Sequence, residues 1–305
     1  MKISLITDEI SADPETAIEL GVEWGVCDFE LRGFYTDRVP LLSEYQKQRL
    51  RDALDEYQAR VIAVGPGLFK STYPSKQAPR LPLGWMDRAA YTGWAEAQRL
   101  VHHHLYELLP ASLDFANEFG APLLVIFGFD RAGAPPGPPP EEVLNSLRLA
   151  AERAAAAGVQ LVLENEDGFW ADTGARTAQL VQAVDHPALA VNWDPGNAFF
   201  ADDEPYPRGY RAVRGLMRHV HFKDARRGPD GALSYVAEGQ AGWPDQIRAL
   251  AADGYDGFIS IETHLRPKVF AARAALERLR RLIASAEGNS RAENTTATSK
   301  RSEGT

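Results

Sequence analysis

The chain of 305 residues has one cysteine, Cys27, so no disulfide can form within it, which fits a reducing compartment. No uninterrupted apolar run approaches the ~20 residues that a membrane-spanning helix needs. The first residues, Met1-Lys2-Ile3-Ser4-Leu5-Ile6-Thr7-Asp8-Glu9, turn acidic without the apolar stretch of a secretory signal. The expectations are a cytoplasmic location and no membrane partner. Positive charge is in deficit: 33 Lys plus Arg stand against 42 Asp plus Glu, a net charge of -9. That balance suits a polyanionic nucleic acid poorly. No glycine-rich turn of the GxGxxG kind follows the first apolar run, so a dinucleotide site has no support.

What is present is globular in composition, 45% hydrophobic and 25% charged. Short apolar runs alternate with longer stretches that repeat at helical spacing. Strands are expected at 3–7, 27–31, 61–64, 123–127, 159–164, 189–194, 219–224 and 258–262. Helical patterns are expected at 14–25, 42–57, up to 120, from 141, and at 173–184, 206–217, 244–253 and 267–287. These make eight β-then-α units. Their nearly unalternated strands suit a parallel sheet covered on both faces. A (β/α)8 TIM barrel closes such a sheet without leaving an edge, and ~250 residues is its usual size. An open doubly wound sheet is the rival within the α/β class. The connection from Gly65 to about Trp85 is expected to be a lid or functional loop, and the proline-rich stretch 133–140 a stiff loop. The barrel domain is expected to span 1–288. The polar stretch 289–305 is expected to be a disordered tail.

Barrel enzymes carry their reactive groups at the C-terminal ends of strands. Here the fifth run ends Leu163-Glu164-Asn165-Glu166 and the sixth Trp193-Asp194-Pro195-Gly196-Asn197. The seventh ends His221-Phe222-Lys223-Asp224 and the eighth Ile261-Glu262-Thr263-His264. Glu164, Asp194, His221 and Glu262 follow one another at steps of 30, 27 and 41 residues, one β/α unit of roughly 31 residues each time, with an extra loop before the eighth strand. Neighbouring strands lie ~4.8 Å apart, so four such side chains can converge on one ion. The plainer alternative is four solvated polar strand ends.

These motifs, with Arg227, the opening Thr7-Asp8-Glu9-Ile10 and the segment Phe29-Glu30-Leu31-Arg32-Gly33, resemble the xylose-isomerase-like TIM barrels, the sugar-phosphate isomerase/epimerase superfamily. The chain is similar to its D-tagatose 3-epimerase and inosose dehydratase branches up to the tail. The resemblance implies that Glu164, Asp194, His221 and Glu262 are the metal ligands and that Glu164 and Glu262 also move the substrate proton. It implies a substrate-binding role for Arg227. Two positions depart from the epimerases: Asn197 stands where they carry a histidine, and Trp170 where they carry a second glutamate.

Three carboxylates and an imidazole form a mostly hard donor set, which favours Mn²⁺, with Mg²⁺, Co²⁺ or Zn²⁺ also accommodated. The expected activity is isomerisation or epimerisation of a keto sugar or related polyol through an enediolate. Dehydration of the inosose or dehydroshikimate type is the alternative. An endonuclease-IV-like repair enzyme would need more histidines than the 7 present, and a non-catalytic sugar-binding barrel would need no pair of glutamates. Asn197, Lys223, Glu30 and His264 complete the expected substrate-binding residues. For Glu30 and Arg32 a buried ion pair is an equal reading. His219 is expected to pack against a helix, on the opposite side of its strand from His221. The run His102-His103-His104 is read as surface or lid, because consecutive helical residues fan around the axis and cannot share an ion. Trp24, Trp85 and Trp94 are read as core or lid. Homo-oligomerisation is left open.

The composition of 289–305 generates a first prediction. Ending the chain at Gly288 should leave the far-UV circular dichroism, the unfolding midpoint and the activity unchanged. Aggregation of the truncated protein would show that these residues pack.

Overall fold

The computed structural model describes residues 1–73 and 94–302. Most of the expected lid, including Trp85, and the side chain of Trp94 lie outside the described residues. Eight strands form a closed barrel: β1 Lys2–Ile6, β2 Asp28–Leu31, β3 Arg60–Leu68, β4 Leu123–Phe127, β5 Gln160–Glu164, β6 Leu189–Trp193, β7 Met217–Phe222 and β8 Phe258–Ile261. Every neighbouring pair is parallel, and β1 pairs with β8 from Lys2–Phe258 to Leu5–Ile261. That last pairing closes the barrel and excludes the open doubly wound sheet.

Seven strands fall within two residues of their expected bounds. The third runs on to Leu68 through Gly65-Pro66-Gly67, read from the sequence as its stop. The helix expected at 206–217 is reduced to the short helical segments Pro205–Gly209 and Tyr210–Val213, because β7 already begins at Met217. The last helix, Lys268–Ser302, continues past the boundary expected at 288. Two short hairpins were not foreseen: Gly33–Phe34 with Asp37–Arg38, and Ala225–Arg227 with Leu233–Tyr235.

The period of two along each strand divides the barrel into two interiors. Outward residues such as Phe29, Leu124, Leu161, Val191, Val220 and Ile259 are fully buried against the helices, in one continuous apolar core. Inward residues form layers. At the N-terminal end Ile62, Val125, Val162 and Ala190 plug the lumen, with Leu123 and Phe258 against them. Above them the lumen turns polar, with Ser4, Asn192, His219 and Ser260 all at 0% exposure. At the C-terminal mouth come the charged strand ends.

Local signals set the helices around this barrel. Ser43 and Gln46 form a reciprocal capping box on Glu44–Glu56, and the Thr173 side chain accepts the Arg176 N–H at the start of Gly174–Val184. Gly174 is needed for a different reason. A Cβ there would lie 2.4 Å from the Gly209 carbonyl oxygen and 2.6 Å from its Cα, and backbone cannot swing aside. Gly174→Ala should therefore destabilise the protein by about 1–3 kcal/mol, read as a lower urea midpoint at unchanged m-value. An unchanged midpoint would show that the contact relaxes freely.

Candidate metal centre

The four strand-end residues meet. One donor atom from each of Glu164, Asp194, His221 and Glu262 lies within 4.8 Å of the others, and all four side chains are buried. His221 Nδ1 sits 3.5 Å from Glu164 Oε1 and 3.1 Å from Glu262 Oε2.

Asp194 is placed by its own local structure. Its Oδ1 accepts the Asn197 N–H at 2.8 Å, capping a short helix Pro195–Phe200. The Asp-Pro-Gly-Asn run encodes this cap, with aspartate at the cap and proline in the first turn, and the sequence reading passed over it. Asn165 clamps the same backbone: its Nδ2 donates to Asp194 O at 2.8 Å and its Oδ1 accepts Asp194 N–H at 2.9 Å. Oδ2 is left buried without a hydrogen bond. The Lys223 ammonium stands 2.8 Å from it, a contact with charge attraction but without hydrogen-bond geometry.

Lys223 is equally close, 2.8 Å, to Glu262 Oε2, so its ammonium lies between two of the four candidate ligands. Asn197 faces Glu164: its Nδ2 donates to Glu164 Oε1 at 3.1 Å and to the Asn165 carbonyl at 2.9 Å. Arg32, left open between ion pair and substrate contact, pairs with Asp8 at 2.9 Å, with Glu9 at 2.6 Å and with Glu262. His264 lies 3.3 Å from Glu262 and 3.4 Å from Glu9.

Glu9 is a site residue that the sequence reading quoted without a role. Its Oε2 accepts three hydrogen bonds, from the Thr263 N–H and hydroxyl, each at 3.0 Å, and from the His264 N–H at 2.9 Å. His264 has φ of 54°, a left-handed conformation that costs energy outside glycine, and Glu9 holds it there. No sequence spacing links residue 9 to residue 264; only barrel closure does.

Three expectations change. His219 does not face a helix: it is fully buried in the lumen, 2.9 Å from Glu30. Residues two apart on a strand share a face, so His219 and His221 point the same way. His104 is neither surface nor lid. It is buried in a π-helical turn, and its Nδ1 accepts the Phe69 N–H at 2.8 Å; burial, with His103 nearby, pushes its pKa down to about 4. Arg227 lies off the cavity wall, exposed and paired with Asp202. Trp24 packs half-buried against the core, as expected.

The mouth opens into a cavity of about 440 Å³ whose wall includes Glu164, His221, Lys223, Glu262, His264 and the Lys70–Glu166 pair at 2.9 Å. Burial opposes charge on every group in the ring, and neighbours decide each outcome. Burial works against the His221 imidazolium, but Glu30, Glu164 and Glu262 raise its pKa well above the usual histidine value. Burial likewise opposes the Glu262 carboxylate, yet Lys223, His264, His221 and Arg32 hold it well below the usual range. Burial, aided by Glu262 and Glu164 and opposed by Lys223, pushes Asp194 up to about 6.

The family model for the xylose isomerase-like TIM barrel matches residues 18–282, and the chain belongs to that family. A 3-dehydroshikimate dehydratase from Bacillus anthracis is 29% identical over 84 residues, 28% of this chain and 30% of that protein; the match spans less than a third of the relative's length. A solved structure of a probable 3-DHS dehydratase from Bacillus anthracis superposes with a TM-score of 0.68 at 18% identity, covering 92% of this chain and 99% of that one. D-allulose 3-epimerase from Methylomonas sp., solved with D-allulose, gives a TM-score of 0.66 at 17% identity over 92% and 96% of the two chains. These relatives are enzymes; at such identities the structural likeness establishes the fold and not the reaction. No helix among the described residues is long and apolar enough to cross a membrane.

A hard, mostly carboxylate donor set with one orphaned buried oxygen, Asp194 Oδ2, fits a divalent cation. Such an ion must displace protons from His221 and Asp194, both of whose pKa values are raised, so affinity should fall as pH falls. Chelator-treated protein should take up close to one Mn²⁺ per chain. Its affinity should weaken steadily as pH drops through about 6. An affinity flat across that range, or an undiminished metal content in His221→Ala, would place the ion elsewhere.

Proposed function

We propose that this protein is a divalent-metal-dependent isomerase or epimerase of a keto sugar or related polyol, with Mn²⁺ as the favoured ion and Glu164 and Glu262 as acid and base. The observation that carries the reading is the position of both glutamates in one buried ring, on either side of His221. A bound divalent ion supplies Lewis-acid stabilisation of the negative charge that grows on a substrate oxygen as the α-proton leaves. The residues of the chain do the rest. Glu164 and Glu262 come from strands on either side of β6 and β7, so they can address a substrate carbon from two directions, one taking a proton and the other returning it. Their surroundings differ. Burial opposes both carboxylates, yet Lys223, His264, His221 and Arg32 hold Glu262 well below the usual range, whereas Glu164 is lowered less far, by His221 and Lys223 against the repulsion of Glu262, and its amide donor is Asn197 at 3.1 Å. Unequal environments are how paired carboxylates take separate roles. Lys223 and His264, both on the cavity wall, are placed to hold substrate oxygens.

A second reading, a dehydratase, is favoured by His264. This imidazole stands 3.3 Å from Glu262 on the cavity wall. Burial opposes its charge, but Glu262 and Glu9 raise its pKa above the usual value, so it can deliver a proton to a departing hydroxyl. The sequence match to a dehydratase and the departures at Asn197 and Trp170 point the same way.

The two readings separate in deuterated water. Incubation with a panel of keto sugars and cyclic polyol ketones should give products of unchanged formula carrying solvent deuterium at the α-carbon if the first holds, and products lighter by one water if the second does. In either case Glu262→Gln at saturating Mn²⁺ should lower turnover by ~10²–10⁴-fold without restoring exchange. Full rescue of turnover by added metal would reduce Glu262 to a ligand and defeat the two-glutamate mechanism.

A further inference from the structure

Beneath the candidate metal ring runs a line of buried polar groups that crosses the lumen. Ser4 Oγ on β1 is 2.7 Å from Ser260 Oγ on β8, and Ser260 Oγ is 3.0 Å from His219 Nε2 on β7. His219 Nε2 is 2.9 Å from Glu30 Oε2 on β2, and that same oxygen is 3.2 Å from His221 Nε2. No member of the line is more than 2% exposed. β2 and β7 are not neighbours; β1 and β8 lie between them in the barrel. Glu30 therefore spans the lumen to reach both imidazoles, and no backbone pairing requires it to do so.

We infer that Glu30, itself held by His219, is a positioning residue that holds His221 with Nδ1 toward the carboxylate ring and thereby sets how tightly the ring binds a divalent ion. The inference rests on the metal-binding reading of that ring. A neutral imidazole carries one proton, and either nitrogen can take it. An ionised carboxylate only accepts hydrogen bonds. Once an ion has displaced the second proton, Glu30 Oε2 at 3.2 Å from Nε2 selects the neutral form with the proton on Nε2, which leaves the Nδ1 lone pair for the ion. Such a carboxylate partner also raises the basicity of the ligating nitrogen. Glu30 needs its second donor, because a buried carboxylate served by one hydrogen bond is costly. His219 supplies that donor, and Ser260 lies against the same nitrogen. This gives a buried histidine outside the ring a function toward it, and it gives Glu30 a task other than touching substrate.

The test uses the full chain, stripped with chelator, and Mn²⁺ as the probe, with affinity read by competition against a chromophoric chelator at one fixed pH. Glu30→Gln should weaken Mn²⁺ binding by about 10–100-fold. His219→Leu should weaken it by a smaller factor, since Glu30 keeps one donor. His219→Gln, whose amide N–H can stand where Nε2–H stands, should bind nearly as wild type. A second readout is free of turnover. In ¹⁵N-histidine spectra of the metal-free protein, at a pH high enough that the imidazole is neutral, His221 should carry its proton on Nε2 in wild type, and in Glu30→Gln, whose amide can donate as well as accept, the two forms should mix. Folded Glu30→Gln that binds Mn²⁺ as tightly as wild type overturns the inference. If that variant does not fold, His219→Leu decides, and unaltered affinity there overturns it equally. Should His221→Ala lose Mn²⁺ while Glu30→Gln keeps it, the metal ring stands and the positioning role falls. A wild-type protein that binds no Mn²⁺ removes the ring reading, and this inference with it.

Discussion

Three carboxylates and an imidazole crowd into one ring at the mouth of the barrel, almost wholly buried. Like charges at such spacing repel strongly where the dielectric is low, and each loses its hydration on burial. The neighbouring groups answer that cost. Lys223 stands against Asp194 and Glu262, Arg32 against Glu262 and Glu9, and Glu30 beneath His221. Because the charges balance only as a set, removal of one member leaves another buried charge uncompensated, and such losses exceed the worth of any single pair. A ring arranged this way could take a divalent cation, and it holds its shape because each carboxylate also has hydrogen-bond donors of its own.

The barrel supplies that rigidity by an accounting of backbone as well as side chain. Asp194 caps a helix with one oxygen and offers the other to the ring, so its direction is set by the helix it starts. Asn165 and Asn197 interlock β5 with the turn after β6. Asp224, just beyond the ring, accepts the N–H groups of Ala225, Gly239 and Ala241 and pairs with Arg278 at 2.9 Å, which pins the loop carrying Tyr235 against the mouth. The apolar plug of Ile62, Val125, Val162 and Ala190 closes the lumen from below, so the polar layer above it is enclosed within the barrel.

Much of the fold was legible because parallel barrel strands are short and apolar and alternate with helical patterns, and because some helices carry their own start signals. The strand ends were legible for the same reason: a strand that stops on Glu, Asp or His at the pitch of one β/α unit must present that residue at the mouth. Errors arose where the period of the chain was miscounted or overruled. His219 follows from the alternation that places His221, and correct counting puts it in the lumen. His104 sits among three histidines whose helical fan hides which one turns inward, and only the contact with Phe69 decides that. Arg227 lies on a hairpin that was not foreseen, and it pairs there with Asp202.

The amino-acid sequence by itself determined the order of eight β/α units, the apolar faces that close them, and the four residues delivered to the barrel mouth. These are local properties, carried by periodicity and caps within a few dozen residues. Only the tertiary structure decided which groups surround those four. Glu9 reaches Thr263, Glu30 reaches His219 and His221, and Ser4 meets Ser260, each across roughly two hundred residues or more of chain. Such pairings exist because β1 and β2 close onto β8 and β7, and a lumen brings together residues whose separation along the chain carries no signal of contact.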